Sequence, residues 1–400
     1  MCVLNCNKKE KNFMKQKSAK RKAAAAGILI SMILRTPTAA LAASPEFART
    51  SEEWSTLQDN VLEYGEIADL IHEYNVTVQN NAYEYNEFVK DYGRTKEDTA
   101  AAYRDLANEL LSSRSGDDSA SAMISDMQLE LQAKNLREQA DDNIEDSQIY
   151  YLQYSMAEDN LVLSAQSKYI SYFTGQIELE SAKEQLKILE NAYSLALVQR
   201  AAGTVTDTDV LDAQEAVLTQ EKTISQLEQE IENTRQSLIV MLGWKESDAP
   251  QIEELPEFDF SLLDAIDLES DKQKALENNY TLKINQRKLE NAQEEENKKN
   301  MQTTIEGNER QIAASVSSAW ASLQTAKLSY DQAAADLAAE ERNMEQTACK
   351  WNAGMITQYE YEDQQSALVQ KQLAVETAKL NLMDTYETYQ WNVNGLASAE

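Results

Sequence analysis

Apolar side chains recur every seven residues along segment 207–242, and a second apolar set falls between them. The first set consists of Val210, Val217, Ile224, Ile231 and Leu238, and the second of Ala213, Leu227 and Met241. This spacing is typical of an α-helix that packs through a narrow apolar seam, as in a coiled coil. The same register shifted by 151 residues gives Tyr361, Leu368, Val375, Leu382 and Tyr389. The pattern therefore predicts two long helices of the same kind.

The offset of 151 residues extends beyond the two seams. It pairs Tyr169 with Trp320 and Gly203 with Gly354. A glycine at the same place in both copies is what a helix ending in a left-handed residue requires, and the threonine three positions later can cap the next helix. Each copy is therefore predicted to be a helical hairpin with a tight turn, whose apolar stripe one copy cannot bury alone.

A second correspondence lies upstream, where Asn75-Val76-Thr77-Val78 resembles Asn279-Tyr280-Thr281-Leu282. From that asparagine to the turn glycine there are 128 residues in the first copy and 75 in the second, so the first copy is longer by about 53 residues. The turn-forming segment 112–118 is the simplest place for the additional residues. We therefore expect an extended helical hairpin there.

The composition favours an all-α fold of long antiparallel helical hairpins. Only 10 of the 400 residues are Gly and 4 are Pro, and the prolines fall in two short stretches. Without proline, long helices can continue unbroken. The expected helices are 52–111, 120–200, 207–242, 262–302, 308–352 and 358–396. The expected organisation is a signal peptide at 1–42, a first repeat with the extended hairpin at 43–242, a linker at 243–261 and a second repeat at 262–400.

Residues 1–42 have the pattern of a secretory signal peptide. A basic segment precedes the apolar run 23–34, and Ala40-Leu41-Ala42 is a small-x-small cleavage site. The apolar run is too short to span a bilayer, so we expect no transmembrane helix in the mature chain. We expect an exported protein, located in the cell envelope or on the extracellular side of the membrane, with either Met1 or Met14 as its first residue.

The mature chain is strongly acidic. Nine of the 37 basic residues but only one of the 68 acidic residues precede position 43, which leaves a net charge of about −39. Such a charge argues against a nucleic-acid partner and against binding to an anionic lipid surface.

The residues around both turns resemble the TolC family of envelope efflux ducts. The first signature is Ala-Gly-Thr-Val-Thr-Asp-Thr-Asp-Val-Leu-Asp-Ala at 202–213, and a weaker match lies at 353–363. Each is followed about 30 residues later by a Leu-Gly or Gly-Leu ending, at Leu242-Gly243 and Gly395-Leu396. The resemblance covers most of the mature chain, from about residue 66 to residue 396.

The resemblance implies a homotrimer that forms a hollow helical duct. It also implies that the glycine turns meet a membrane-fusion-type adaptor protein, which serves an ABC-type or related exporter. The implied adaptor-docking residues are Gly203, Val205, Thr206, Gly354, Ile356 and Thr357. The implied acidic residues of the pore entrance are Asp209, Asp212, Glu360 and Asp363.

These carboxylates have two interpretations that are compatible with each other. Three copies of each around a pore would raise one another's pKa by like-charge repulsion and would favour cations over anions. The spacings from Thr206 to Asp209 and from Thr357 to Glu360 also resemble capping boxes, in which the acid stabilises a helix start.

One feature of the TolC family is missing from the sequence. Members insert strand pairs of an outer-membrane barrel between the first and second helix of each half, as alternating apolar and polar segments. Segments 112–121 and 303–308 read instead as short polar turns. We therefore expect the TolC-like coiled-coil arrangement with no substantial β-barrel, as in a duct that bridges the wall of a cell lacking an outer membrane.

The chain offers little material for catalysis. Its one histidine, His72, is expected on a helix surface, and Cys349, the one cysteine of the mature chain, is expected to be packed. Metal sites built from His and Cys are excluded by number. The helical spacing of Tyr150 and Tyr154 favours helix packing over carbohydrate binding. We expect no enzymatic activity, no cofactor and no metal site.

Two hypotheses about function follow. The leading one is an exported TolC-like efflux conduit subunit that docks to a periplasmic or extracellular adaptor and lets substrate pass through a helical tunnel. The alternative is a secreted coiled-coil scaffold or regulator of cell-wall proteins that has no pore. The scaffold explains the helix content and the acidity, but only the conduit explains two matched turns.

Overall fold

The computed structural model describes residues 50–399, so the predicted signal peptide lies outside the described residues. Helices dominate this range. They are α1 (Ser51–Leu57), α2 (Ile67–Tyr74), α3 (Val76–Tyr92), α4 (Lys96–Ser112), α5 (Ala120–Asp141), α6 (Ser147–Ala201), α7 (Asp207–Met241), α8 (Ser261–Asp264), α9 (Leu268–Asn278), α10 (Tyr280–Asn291), α11 (Glu295–Asn352) and α12 (Gln358–Trp391). The strands β1 (Val61–Leu62) and β2 (Gln251–Ile252) pair in parallel. The all-α prediction is confirmed.

Two long hairpins form the body of the molecule. Helix α6 has 55 residues and returns through α7 with 35, while α11 has 58 residues and returns through α12 with 34. At about 1.5 Å per residue the outgoing helices are each roughly 80 Å long. The predicted seams face their partner helices, since Val210, Leu238, Leu382 and Tyr389 are buried.

Some predicted helices are interrupted in the structure. The predicted helix 52–111 is divided into α1 to α4, and the predicted helix 120–200 is broken at residues 142–146. Gly93, with φ +78°, ends α3, and Asp146 begins α6 by accepting a hydrogen bond from the Ile149 N–H. The carboxylate of Asp146 is fully buried and is compensated by the Arg287 guanidinium at 2.7 Å. Polar residues stop these helices because they bind the freed backbone groups.

The predicted turn at 303–308 was wrong. These residues lie inside α11, and the break occurs at residues 292–294. The hydroxyls of Thr303 and Thr304 each donate to a carbonyl one turn back, at 3.1 Å, so their polarity is compatible with the helix. The chain turns after Asn291 instead, because the buried amide of Asn291 donates to the Ile144 carbonyl and to the Asp146 carboxylate, both at 2.9 Å.

The additional residues of the first copy form a hairpin that we call the arm, residues 96–141. Its helices α4 and α5 pack against each other around Ala107, Leu110 and Ala133. The arm precedes α6 and is therefore attached at the end of that helix opposite to the turn at Gly203. In the second copy only residues 292–294 stand at the corresponding place.

Two apolar clusters hold the helices together. One surrounds Leu62, Ile71 and Leu238, and the other surrounds Ile312 and Leu382. Tyr169 lies at the first cluster, where its hydroxyl donates to the Glu253 carbonyl at 2.6 Å and so fixes the strand pair against α6.

The repeated asparagines explain the upstream correspondence in the sequence. Asn75 accepts from the Thr77 N–H at 2.9 Å to cap α3, and its amide donates to the Met241 carbonyl at 2.8 Å. Asn279 accepts from the Leu282 N–H at 3.0 Å to cap α10, and its amide donates at 2.7 Å to the carbonyl of Ala397. Each asparagine thus joins the start of one helix to the end of the returning helix in its half. We call this pair the asparagine clamp.

A glycine lies beside each member of the asparagine clamp. Gly243, with φ +98°, packs so closely that an added Cβ would lie 2.3 Å from the Cβ of Tyr74. Gly395, with φ +129°, would place a Cβ 3.1 Å from the Asn278 carbonyl oxygen. The Leu-Gly and Gly-Leu endings seen in the sequence are therefore sites of close backbone approach.

Over residues 50–399, no helix is both long enough and apolar enough to cross a bilayer.

Candidate functional site at the two helical turns

The first turn joins α6 to α7 through a left-handed glycine. Gly203 has φ +72°, and its N–H donates to the Arg200 carbonyl at 2.9 Å, while the Thr204 N–H donates to the Gln199 carbonyl at 2.9 Å. This pair of bonds is the Schellman motif, which satisfies the last carbonyls of a helix. An ion pair between Arg200 and Asp207 closes the turn from the side.

The second turn repeats the geometry of the first. Gly354 has φ +67°, and its N–H donates to the Trp351 carbonyl at 2.9 Å, while the Met355 N–H donates to the Lys350 carbonyl at 2.9 Å. An added Cβ at either Gly203 or Gly354 would meet nothing within 4 Å. Both glycines are therefore required by their backbone conformation alone, and both face solvent in the single chain.

Capping boxes begin both return helices. The Thr206 N–H donates to the Asp209 carboxylate at 2.7 Å and the Asp209 N–H donates to the Thr206 hydroxyl at 3.2 Å. The Thr357 N–H donates to the Glu360 carboxylate at 2.7 Å and the Glu360 N–H donates to the Thr357 hydroxyl at 3.2 Å. The capping interpretation of these two acids is thus seen in the geometry.

The four predicted acidic residues lie in two environments. Hydrogen bonds from the hydroxyl and backbone of Thr206 lower the pKa of Asp209, and those from the backbone and hydroxyl of Thr357 lower the pKa of Glu360. Asp212 and Asp363 are exposed one turn farther along their helices. Although Asp363 is exposed, neighbouring protein atoms displace part of its surrounding water, and this desolvation, assisted by the charge of Glu362, raises the pKa of Asp363. In the single chain the capping acids are therefore held in the charged form.

The two turns lie at the same end of the molecule. Helices α6 and α12 run antiparallel, with the Ser181 hydroxyl donating to the Gln370 amide oxygen at 2.8 Å and the Asn191 amide donating to Glu362 at 3.3 Å. Asn191 is 12 residues before Gly203, and Glu362 is 8 residues after Gly354. At about 1.5 Å per residue, Gly203 lies roughly 18 Å beyond this contact and Gly354 lies roughly 12 Å beyond it. Along the helix axis, the two glycines are therefore within about two helical turns of each other.

Sequence reasoning missed the apolar residues beside the second turn. Met355 is 75% exposed, and the half-exposed Trp351 ring stacks on Tyr361 with centroids 5.4 Å apart. Val205 and Ile356, predicted for docking, are half-buried. The exposure of Met355 could have been predicted only from its place directly after the glycine, where a side chain projects from the turn.

Other candidate residues fall away from the turns. His72 is half-buried and its Nδ1 lies 2.8 Å from Glu158, so the expected simple surface position was wrong. Cys349 is exposed rather than packed. Tyr150 and Tyr154 pack among aromatic rings of α3 and α6, as their spacing indicated. Within the described part of the chain, no three His, Cys, Asp or Glu side chains form a group that could hold a metal ion.

No protein-family model and no curated protein matches the sequence. Solved structures do match. A membrane protein from Pseudomonas aeruginosa is similar with a TM-score of 0.54 at 12% identity, over 91% of this chain and 97% of that one. The outer-membrane channel OprN is similar with a TM-score of 0.54 at 12% identity, over 92% of this chain and 99% of that one.

The chain has a TolC-like fold. The similarity to OprN extends over 92% of this chain, so it includes most of both long hairpins. At 12% identity, the similarity establishes the architecture of this chain, and the resemblance first noted at the two turns is confirmed at the level of the fold. The similar structures are named as a membrane protein and a channel, and neither is named as an enzyme.

Proposed function

We propose that this chain is the subunit of an exported, TolC-like efflux conduit of the cell envelope. Three copies form a hollow helical duct, and the two turns dock to a membrane-fusion-type adaptor of an ABC-type or related exporter. The observation that carries the proposal is the pair of matched glycine turns at one end of a chain with a TolC-like fold. Because each copy has two such turns at one end, a trimer would present six similar turns to the adaptor.

The exposed apolar side chains of the first hairpin support self-association. Val198 on α6 and Leu211 on α7 are 63% and 62% exposed, and Leu197 and Leu218 are 44% and 56% exposed. Apolar residues that recur along both helices of one hairpin are costly to leave uncovered. Neighbouring copies would cover them in a closed ring, whereas a single rod would leave them in contact with solvent.

The docking role follows from the shape of the turns. Gly203 and Gly354 carry no side chain and are open on their outer side, so an adaptor helix can approach their backbone closely. Val205 and Ile356 supply an apolar contact beside each glycine, and the caps keep both turns rigid. A rigid surface loses little conformational entropy on binding.

The acidic residues give the entrance its charge. Asp209 and Glu360 stay ionised because their caps lower the pKa of both carboxyl groups. With Asp212 and Asp363, three copies would bring twelve carboxylates to the mouth of the duct. We infer that the entrance favours cationic over anionic solutes.

The docking proposal is tested with three glycine-to-valine variants. Gly203→Val and Gly354→Val add a side chain at the turns, and Gly116→Val is the matched control. Gly116 has φ +66° and open surroundings like the turn glycines, but it lies at the free end of the arm. All three variants therefore carry the same backbone strain, of about 1–2 kcal/mol. Binding to each membrane-fusion-type adaptor encoded in the same genome is measured by co-purification and by interferometry.

We expect both turn variants to weaken adaptor binding by about tenfold or more, because the added side chain separates the two backbones. The control should bind normally, and circular dichroism should show the same helix content for all four proteins. Equal binding by all of them would refute the docking assignment. An equal loss in the Gly116 control would trace the effect to folding and would contradict the assignment as well.

The secreted scaffold without a pore is the competing function. It requires a chain that remains a rod when its partners are present. Cross-linking and sedimentation of the mature chain distinguish the two, because the conduit requires a closed trimer and the scaffold does not.

A further inference from the structure

A wide groove opens at the base of the arm, at the end of the molecule opposite to the two turns. It lies between α4 and α5 of the arm, the end of α3 and the loop 142–145, and its volume is about 790 Å³. This is within the range of about 300–1,000 Å³ that small-molecule sites occupy. We call it the arm groove. The conduit function proposed above assigns it no role.

One wall of the arm groove is aromatic. Tyr92 and Tyr103 line it, with ring centroids 5.7 Å apart and planes inclined at 55°. Tyr92 is supported from behind by Phe88, which stacks on it at 5.2 Å. Burial raises the pKa of both tyrosines, so their hydroxyls stay neutral and able to donate hydrogen bonds. The wall therefore presents flat rings with polar edges.

The opposite wall is a ridge of amides. Gln132, Asn135 and Gln139 line the groove at spacings that place them on one face of α5. All three are exposed, and none makes a side-chain hydrogen bond within residues 50–399. Each amide offers two donors and an acceptor. A row of unengaged amides can thus hydrogen-bond a chain of hydroxyl or acetamido groups.

The floor of the groove is fixed by the loop 142–145. The Asn143 amide donates to the Lys96 carbonyl at 3.1 Å and to the Glu145 carbonyl at 2.9 Å, so the loop is tied to the start of α4. Glu145 is paired with Lys288 at 2.9 Å. The groove is therefore preformed rather than assembled on binding.

The chemistry of the walls defines the ligand. Sugar rings have apolar C–H faces that pack on aromatic rings and polar rims that bond to amides. Asp142, together with Glu138 that is paired with Lys134 at 3.5 Å, leaves the edge of the groove with a net negative charge that disfavours anions. We propose that the arm groove binds an uncharged oligosaccharide with acetamido groups, so that the conduit subunit is held to a glycan at the end away from its turns. The binding requires neither trimer nor adaptor.

The test uses chitotetraose, a soluble tetramer of N-acetylglucosamine, added to the mature chain and followed by calorimetry. Tyr103→Ala removes part of the aromatic wall, and the double variant Asn135→Ala with Gln139→Ala removes two amides from an exposed helix face where Ala is well tolerated. Tyr83→Ala is the tyrosine control, because Tyr83 is 67% exposed on α3 and does not line the groove. Gln302→Ala on α11 is the amide control.

We expect chitotetraose to bind with a Kd of about 1 mM or tighter, and both groove variants to weaken it by about fivefold or more. Both controls should bind like the parent. Absence of binding at millimolar sugar would overturn the proposal, and so would binding that the double amide variant leaves unchanged. Saturable binding of an oligolysine peptide in place of the sugar would show that the carboxylates define the site, and would equally overturn it.

Discussion

Removal of the asparagine clamp in the second half should weaken the fold measurably. Asn279 is 1% exposed and makes three hydrogen bonds: it accepts from Leu282 and donates to the carbonyls of Gly395 and Ala397. Asn279→Ala deletes all of them in a place that water does not reach. The start of α10 would lose its cap, and the end of the chain would lose its tie to that helix.

The expected loss of stability is the sum of two contributions, the lost N-cap and the lost hydrogen bonds to buried carbonyls. Loss of the N-cap at Asn279 costs about 1 kcal/mol. A buried carbonyl left without a partner costs about 1–3 kcal/mol, and the Ala397 carbonyl forms the shorter of the two bonds. We therefore expect Asn279→Ala to lower the free energy of unfolding by about 2–4 kcal/mol. Asn279→Ser keeps an acceptor for the Leu282 N–H but is too short to reach the carbonyls, so it should recover about 1 kcal/mol of that loss.

The assay is urea unfolding of residues 43–400, followed by far-ultraviolet circular dichroism. Thr357→Ala is the reference, because it removes an exposed cap whose side-chain hydrogen bonds all lie within its own capping box, and it should cost about 1 kcal/mol. A loss in Asn279→Ala no larger than in this reference would refute the clamp. Full recovery of stability in Asn279→Ser would instead show that the cap alone stabilises the structure.

Two further predictions concern Asp159 and Gly243 in the body of the molecule. Burial, assisted by the charge of Glu158, raises the pKa of Asp159 to about 6, although the Tyr280 hydroxyl donates to it. Because the pKa of Asp159 is higher in the folded than in the unfolded chain, the free energy of unfolding falls by about 1–3 kcal/mol as the pH rises from about 4 to 6. Asp159→Asn should remove this loss and raise the thermal midpoint at pH 7.5, and a midpoint below that of the parent would contradict the burial argument. Gly243→Ala should destabilise by about 3 kcal/mol or more, since the new Cβ would collide with Tyr74. Gly116→Ala, which also has a positive φ but open surroundings, is its control in the same denaturation experiment, and equal effects would be inconsistent with the close approach.

The parts of the fold that the sequence predicts well are those with local causes. The seam of α7 follows from apolar spacing, and the turn at Gly203 follows from a glycine, a threonine and an acid at fixed distances. These features need only neighbours along the chain. Their duplication at Gly354 then strengthens the prediction, because the same local solution occurs twice.

The helix break after Asn291 was missed because its cause is distant in sequence. Asn291 ends α10 by bonding to Ile144 and Asp146, which lie in the other half of the chain. An asparagine within a polar helical segment gives no sign of such a partner. The false break at 303–308 has the opposite cause, since polar composition alone does not stop a helix when the side chains can bond within it.

The arrangement of the candidate site was partly predictable. The sequence indicates both turns and their caps, but it does not show that Asn191 and Glu362 meet, which is the contact that brings the turns to a common end. Met355 and the exposed Cys349 also depend on which faces of the helices remain uncovered.

Electron cryomicroscopy of residues 43–400, alone and with adaptor, tests the proposed conduit most directly. A trimeric conduit should give hollow particles with threefold symmetry, in which Gly203 and Gly354 of every copy lie at one mouth and contact the adaptor there. Solid monomeric rods under both conditions would contradict it.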